Sequence, residues 1–243
     1  MDEHSDRPLA GRTIALTRPD PGALGPALAD LGAIVVHVPL LAIADPPDGG
    51  IALRRALARL DAFDWLVVTS ANGARAVGAA ASASGVRLAA VGPATAATLA
   101  ERAGRPVDLV AQVPRVEGLV AEFPPAPARV LVAQADRAGS ELAEGLARRG
   151  HDVEAVTAYA TVARRPTADE QAALDAVDAV VLASGSAAEA WVAARGPAVP
   201  PVAVAIGPVT ERAARRVGIA ITHVATSPGP AGVGAALTAA FRP

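Results

Sequence analysis

Residues 64–70 read Asp64-Trp65-Leu66-Val67-Val68-Thr69-Ser70, and residues 178–184 read Asp178-Ala179-Val180-Val181-Leu182-Ala183-Ser184, the same pattern at an offset of 114 (184 − 70). Each is a short apolar run entered by an aspartate and left by a hydroxyl. Without polar alternation, a run of this length suits a strand covered on both faces, as in a parallel sheet. Four more such runs occur, at Ile14–Thr17, Leu88–Val91, Val130–Ala133 and Val202–Ile206. The runs at Trp65–Thr69 and Ala179–Leu182 complete the set. Helix-like stretches lie between them, at Ala23–Leu31, Ala74–Ala81, Thr95–Arg102, Ser140–Arg149, Ala187–Ala194 and Thr210–Val217. Gly32, Gly104, Gly150, Gly196 and Gly218 follow five of these, where helix-terminating glycines belong. Alternating strand and helix means an α/β fold with parallel sheets.

The repeat extends well beyond the opening pair. Ala29–Val36 matches Ala147–Glu154 at an offset of 118 (150 − 32), and Val91-Gly92-Pro93-Ala94-Thr95 matches Ile206-Gly207-Pro208-Val209-Thr210 at 115 (207 − 92). Val110–Gly118 matches Val224–Gly232 at 114 (224 − 110). A solenoid repeats every 20–50 residues or so, so a period this long means two similar α/β units. Ile34–Ala44 and Val153–Ala163 are extended repeat mates without helical periodicity. Pro39 argues against a central strand in the first, and the two are expected to pair as connectors. Pro124–Ala128 and Pro197–Pro201 read as surface loops, and Gly229–Gly234 as a loop before the last helix.

Composition removes several functions. All 22 basic residues are arginine, so the lysine of a P-loop, a pyridoxal-phosphate enzyme or a Schiff-base aldolase is missing. Cysteine is absent, which excludes disulfides and thiolate chemistry. The net charge of −2 and 2% aromatics offer no basic face or stacking platform, so no nucleic-acid partner is expected. His4, His37, His151 and His223 show no metal-ligand spacing, and no metal is expected. Met1–Arg7 lacks the apolar stretch of a signal peptide. No apolar run approaches the ~18 residues of a membrane span. A cytoplasmic protein without a membrane partner is the expectation. No Gly-x-Gly-x-x-Gly follows a strand, and Ser184-Gly185-Ser186 has no evident histidine partner for acyl transfer.

The repeat does create candidate sites. Four strands end in hydroxyls or glycine and run into helices, at Thr69-Ser70-Ala71-Asn72-Gly73, Gly92-Pro93-Ala94-Thr95, Ser184-Gly185-Ser186 and Gly207-Pro208-Val209-Thr210. The first N–H groups of such helices lack intrahelical partners, and the dipole favours carboxylate or phosphate there. Many helices begin this way without binding anything; four in repeat-related pairs favour a polar or anionic ligand. Tyr159 is the only tyrosine. Its phenol, with a reference pKa of about 10, can donate to a leaving oxygen, or its ring can simply pack. Arg18, closing the first strand, can fork a carboxylate or lie solvated on the surface. Arg75 and Arg137 are weaker candidates of that kind.

Together these residues resemble the uroporphyrinogen-III synthase family, from about Gly11 to Leu237. The resemblance rests on Thr17–Pro19, Asp64–Gly73, Val91–Thr95, the segment around Tyr159, Asp178–Ser184 and Ala205–Thr210. It implies two similar parallel-sheet α/β domains joined by a two-stranded β connector, with the active site in the cleft between them. One domain would comprise residues 1–36 and 166–243, the other 45–154, with connectors 37–44 and 155–165. The implied substrate is hydroxymethylbilane, a linear tetrapyrrole with eight carboxylates, closed to uroporphyrinogen III with ring D inverted and water lost. No cofactor is implied, and a monomer is expected. By the resemblance Tyr159 assists departure of water, while Ser70, Thr95, Ser184 and Thr210 hydrogen-bond the acetate and propionate arms. The substrate-contacting set is Arg18, Thr69, Ser70, Asn72, Gly92, Pro93, Thr95, Ser184, Ser186, Gly207, Pro208 and Thr210. Two positions depart from the family pattern, Ala183 in place of a threonine and Gln134–Arg137 where a glycine is common. The competing reading is a non-catalytic tetrapyrrole-binding or regulatory module of the same fold; retention of Tyr159 and both Gly-Pro-x-Thr turns favours the enzyme. A periplasmic-type binding protein is disfavoured by the missing export signal.

Overall fold

The computed structural model describes residues 7–125 and 127–242. His4 and most of the segment read for an export signal lie outside the described residues, as does Ala126 in the Pro124–Ala128 stretch. In chain order the first elements are β1 (Thr13–Leu16), α1 (Leu24–Asp30), β2 (Ile34–His37), β3 (Leu41–Ala44) and α2 (Ile51–Leu57). Then come β4 (Trp65–Val68), α3 (Ala71–Ser82), β5 (Arg87–Ala90), α4 (Pro93–Ala103), β6 (Leu109–Val110) and α5 (Val116–Glu122). β7 (Arg129–Ala135), α6 (Glu141–Arg148), β8 (Asp152–Ala163) and α7 (Ala168–Asp175) follow. The chain closes with β9 (Ala179–Leu182), α8 (Gly185–Arg195), β10 (Val202–Ala205), α9 (Pro208–Arg216), β11 (His223–Val224) and α10 (Pro230–Ala240).

Two compact units result. Unit 1 takes the chain up to Ala42 and from Val162 onward, and unit 2 runs from Ile43 to Thr161. The sheet of unit 1 has the order β11-β10-β9-β1-β2, all parallel. In the second sheet, ordered β3-β8-β7-β4-β5-β6, the strands from β8 to β6 are parallel. Strand for strand, β6-β5-β4-β7-β8 corresponds to β11-β10-β9-β1-β2. Unit 1 is therefore the same sheet with its chain order permuted, and the offset of 118 linking Ala29–Val36 to Ala147–Glu154 joins α1–β2 to α6–β8.

Each sheet buries both faces, which is why its strands read as unbroken apolar runs. In unit 2, Leu66 and Val68 join a core with Val77, Leu88, Leu99 and Leu131, while Trp65 and Val67 point into an opposite core with Leu119, Phe123 and Leu142. In unit 1, Val180 and Leu182 pack with Trp191 and Ile219, and Ala179 and Val181 with Ile14, Leu28 and Leu237. The alternation follows the pleat. The repeated aspartates staple the strand starts. Asp64 Oδ2 accepts from Arg129 N–H at 2.8 Å and Asp178 Oδ2 from Thr13 N–H at 2.8 Å, each tying its strand to the next one in the sheet. Gly32 and Gly150, at φ 93° and 89°, end α1 and α6 in the left-handed conformation that glycine takes without a Cβ penalty. The residues after them, Ala33 and His151, donate N–H back to Leu28 and Leu146.

His151 sits at that corner 5% exposed, edge-on to Phe123, which also meets Trp65, both at 5.1 Å between centroids. Neither ring nitrogen has a hydrogen-bond partner. Burial first, and then the charge of Arg149, lower its pKa below the ordinary imidazole value.

Several elements differ from expectation. Ile34–Ala44 is two strands, interrupted around Pro39, and its first half belongs to the sheet of unit 1. β8 is more than a connector: it is laddered to β7 from Asp152 to Tyr159. β3 does lie next to it in the sheet order. Gly229–Gly234 is not a loop, because α10 begins at Pro230 with Gly229 as its N-cap. The glycines there serve close packing. A Cβ at Gly232 would stand 2.3 Å from Ser227 O, and one at Gly234 2.8 Å from Leu31 Cδ1.

Candidate functional site

In an open parallel sheet, ligands bind beyond the strand C-termini, where the strand order reverses. That point lies between β4 and β7 in unit 2, and between β9 and β1 in unit 1.

In unit 2, Thr69 and Ser70 leave the end of β4. Ser70 is the N-cap of α3, its Oγ accepting from Gly73 N–H at 3.1 Å. The same Oγ shares a 2.9 Å hydrogen bond with Tyr159 Oη across 89 residues of sequence. A register shift makes this possible: Gln134 pairs with Thr157, but Ala135 pairs with Tyr159. One extra residue in β8, a β-bulge, changes the side to which the following side chains point. The Tyr159 carbonyl accepts from Asp136 N–H at 2.9 Å, and Asp136 Oδ1 accepts from Thr161 N–H at 3.2 Å, so the chain after the bulge is tied to the residue that follows β7. Ser70 Oγ already accepts one N–H, so its own O–H can go to the phenol oxygen. That leaves the Tyr159 O–H to donate elsewhere.

Tyr159 also lines a recess of ≈ 410 Å³ within unit 2. Asp45 follows β3 on one side, and Asn72 and Arg75 come from the first turns of α3. Ala44, Ala76 and Ala158 leave the space open. Arg75 Nη1 donates to Asn72 Oδ1 at 2.7 Å. Arg75 was a weak candidate in sequence, three residues from Asn72 and thus on the same helix face. Asp45, in a loop, carried no signal.

Gly92 and Gly207 are the N-caps of α4 and α9, with Pro93 and Pro208 opening the helices and no side-chain cap on either. The N–H groups of Ala94, Thr95, Val209 and Thr210 are thus left to outside acceptors. The threonine side chains turn inward, however. Thr95 is 8% and Thr210 6% exposed, because each begins the buried stripe of its helix, Thr95 with Leu99 and Ala103, Thr210 with Ala214. What these turns present outward is mainly backbone, proline and the exposed Val209.

In unit 1, Ser184 repeats the Ser70 cap, its Oγ accepting from Ala187 N–H at 3.1 Å, and Ser186 lies in the first turn of α8. Arg18 is exposed just beyond the end of β1, its carbonyl meeting His37 Nε2 at 2.8 Å, and it forms no ion pair among the described residues. β1 and β9 flank the order reversal, so Arg18 and Ser184 share one sheet end. No counterpart of Tyr159 exists there. Among the described residues, no group of three or more His, Cys, Asp or Glu is placed to hold a metal ion.

These features define a class: a protein of two doubly wound α/β units whose strand ends carry helix N-termini, hydroxyls and arginines, with one phenol hydrogen-bonded to the serine beside an order reversal. Residues 22–233 match the family model described as "HEM4: Uroporphyrinogen-III synthase HemD", and the chain belongs to that uroporphyrinogen-III synthase family. A uroporphyrinogen-III synthase of Synechococcus elongatus is 34% identical over 168 residues, 64% of this chain; the chain spans 62% of that relative's length. Among solved structures, a uroporphyrinogen-III synthetase of Helicobacter pylori matches with a TM-score of 0.65 at 18% identity, covering 95% of this chain and 99% of that one. A mutant uroporphyrinogen III synthase of Thermus thermophilus matches at 0.56 and 20%, covering 96% and 99%. At such identities these two bear on the fold.

Proposed function

We propose that this protein closes hydroxymethylbilane to uroporphyrinogen III, inverting ring D and releasing water, and that Tyr159 assists that release. The observation that carries the reading is the Ser70–Tyr159 hydrogen bond at the bulge of β8, in a chain of this family. A phenol fixed by a hydroxyl that is itself fixed by a helix N–H is an oriented donor. Placed at the ring A hydroxyl, it stabilises negative charge developing on the departing oxygen while the C–O bond breaks and the pyrrole nitrogen supplies electrons. The ring D carbon then attacks the resulting cation, and the spiro intermediate fragments and recloses. A substrate that can also close unaided to the uninverted isomer needs holding more than activation, since fixing a near-attack geometry is itself a large rate term.

The substrate's carboxylates would be met by Arg18, by the hydroxyls of Thr69, Ser70, Ser184 and Ser186, by Asn72, and by the free N–H groups at the Gly92-Pro93 and Gly207-Pro208 turns. For Thr95 and Thr210 this reading uses the backbone N–H rather than the inward-facing hydroxyl. Action as a monomer in the cytoplasm goes with the proposal. No helix among the described residues is long and apolar enough to cross a membrane. Sedimentation of the purified protein would check its state of association.

The test is the isomer formed from hydroxymethylbilane. Type III product above the buffer rate is expected, with Tyr159→Phe slowing turnover at least several-fold and up to about 10²-fold, the range for one positioned proton donor. Type I product alone, at the rate of the buffer control, would return the chain to a tetrapyrrole-binding module.

A further inference from the structure

The recess beside Tyr159 contains a cation, Arg75, that forms no ion pair with a carboxylate of the described residues. Arg75 is exposed, and its one hydrogen bond is to the neutral amide oxygen of Asn72. Some surface arginines of unit 2 have a carboxylate partner, Arg59 in Glu154, Arg129 in Asp152 and Arg105 in Asp108; what sets Arg75 apart from the unpaired remainder is its place in the recess beside Tyr159. Arg75 also sits early in α3, where the helix dipole disfavours positive charge, so helix stability does not account for it. The Asn72 contact uses one of five guanidinium donors and holds the group against α3, leaving a fork free for a carboxylate. Around it the recess is walled by alanines and the tyrosine ring, which suits the apolar body of a ligand carrying that carboxylate.

We propose that this recess is a carboxylate subsite, with Arg75 as its anchor and Asn72 as the residue that positions it. Taken with the function proposed above, on which the identity of the ligand rests, it receives one acetate or propionate arm of the tetrapyrrole and so sets the reacting ring against Tyr159. Asp45 lines the same recess and opposes a second anion there.

Two measurements test this. In turnover of hydroxymethylbilane, Arg75→Met should raise KM about tenfold or more, the loss expected for one charge-assisted fork, with kcat falling by much less. Arg75→Lys should lie between Met and wild type, and Asp45→Asn should lower KM. An unchanged KM in Arg75→Met, with its circular dichroism intact, overturns the proposal. Binding of uroporphyrin III, followed by its fluorescence, reads the subsite without turnover. Affinity weakened about tenfold in Arg75→Met supports the subsite even if wild-type protein makes no type III isomer, whereas equal affinity of wild type and Arg75→Met refutes it.

Discussion

Removing the Ser70 hydroxyl separates two roles that the structure assigns to one atom. Ser70 Oγ caps α3 and holds the Tyr159 phenol. Ser184 Oγ, its repeat mate, makes an equal cap at the same 3.1 Å and holds no second side chain among the described residues. Loss of a serine N-cap costs about 1 kcal/mol, so Ser184→Ala should destabilise unit 1 by about that much. A neutral hydrogen bond nets about 1 kcal/mol. Tyr159 is half-buried, so water can reach an abandoned phenol and little is added. Ser70→Ala should therefore cost unit 2 about 2 kcal/mol and Tyr159→Phe about 1 kcal/mol. The double variant should cost no more than Ser70→Ala alone, a coupling of about 1 kcal/mol. The two tryptophans allow each unit to be followed alone, Trp65 in unit 2 and Trp191 in unit 1. Urea unfolding by fluorescence, with Trp191→Phe as background for the Ser70 series and Trp65→Phe for Ser184→Ala, gives the four free energies. A coupling below about 0.3 kcal/mol, within ordinary additivity, together with equal costs for Ser70→Ala and Ser184→Ala, would reduce Ser70 to a helix cap and leave the phenol unoriented.

Acid should loosen unit 2 through His151. Its folded pKa lies below the ordinary value of 6.5, so above that value both folded and unfolded states are neutral and nothing changes. As pH falls below about 6.5 the unfolded state takes up the proton first, and stability declines until the folded state protonates as well. The Trp65 unfolding midpoint should drop between pH 7.5 and 5.5 in the wild type, and His151→Leu should flatten that slope; identical slopes would remove His151 from the acid response. At Gly78 two effects of opposite sign compete. Alanine would gain about 0.5–1 kcal/mol in helix propensity, but its Cβ would stand 2.2 Å from Arg102 Cβ, and forcing α3 and α4 apart costs about 1–3 kcal/mol. Gly78→Ala should lower the melting temperature, and a rise would show that the two helices are free to separate.

The strand cores were legible because burial on both faces of a parallel sheet forces unbroken apolar runs such as Trp65–Val68 and Ala179–Leu182, and sequence shows that directly. The repeat was legible for the same reason, its mates occupying matching strands, caps and staples. Helix starts without an apolar stripe are less legible. α10 is apolar nearly all round and opens with glycines, so its start resembled a turn until Ser227 and Leu31 supplied the reason for Gly232 and Gly234. For α7 a local signal does exist, since Thr167-Ala168-Asp169-Glu170 is a capping box of the kind that marks a helix start. At the site, Ser70 and Tyr159 were each readable as candidates, but their contact depends on one extra residue in β8, and no local pattern marks a bulge. The hydroxyls of Thr95 and Thr210 were over-read, since a residue at the third position of a helix can as easily open its buried stripe.

The permuted chain order of unit 1 bears on how the protein emerges from the ribosome. β1 ends up between β2 and β9, yet Ala179 follows His37 by 142 positions (179 − 37). At ~5–20 residues per second, synthesis takes roughly 7–30 s to cover that interval, and all of unit 2 is made within it. The amino-terminal β1–α1–β2 piece spends this time with Ile14, Leu16 and Leu28 lacking their final cover, while the later-made neighbour is already able to collapse. Newborn chains should therefore be open to chaperone capture at their first forty residues, and a circularly permuted gene starting near Ala168 would abolish that wait.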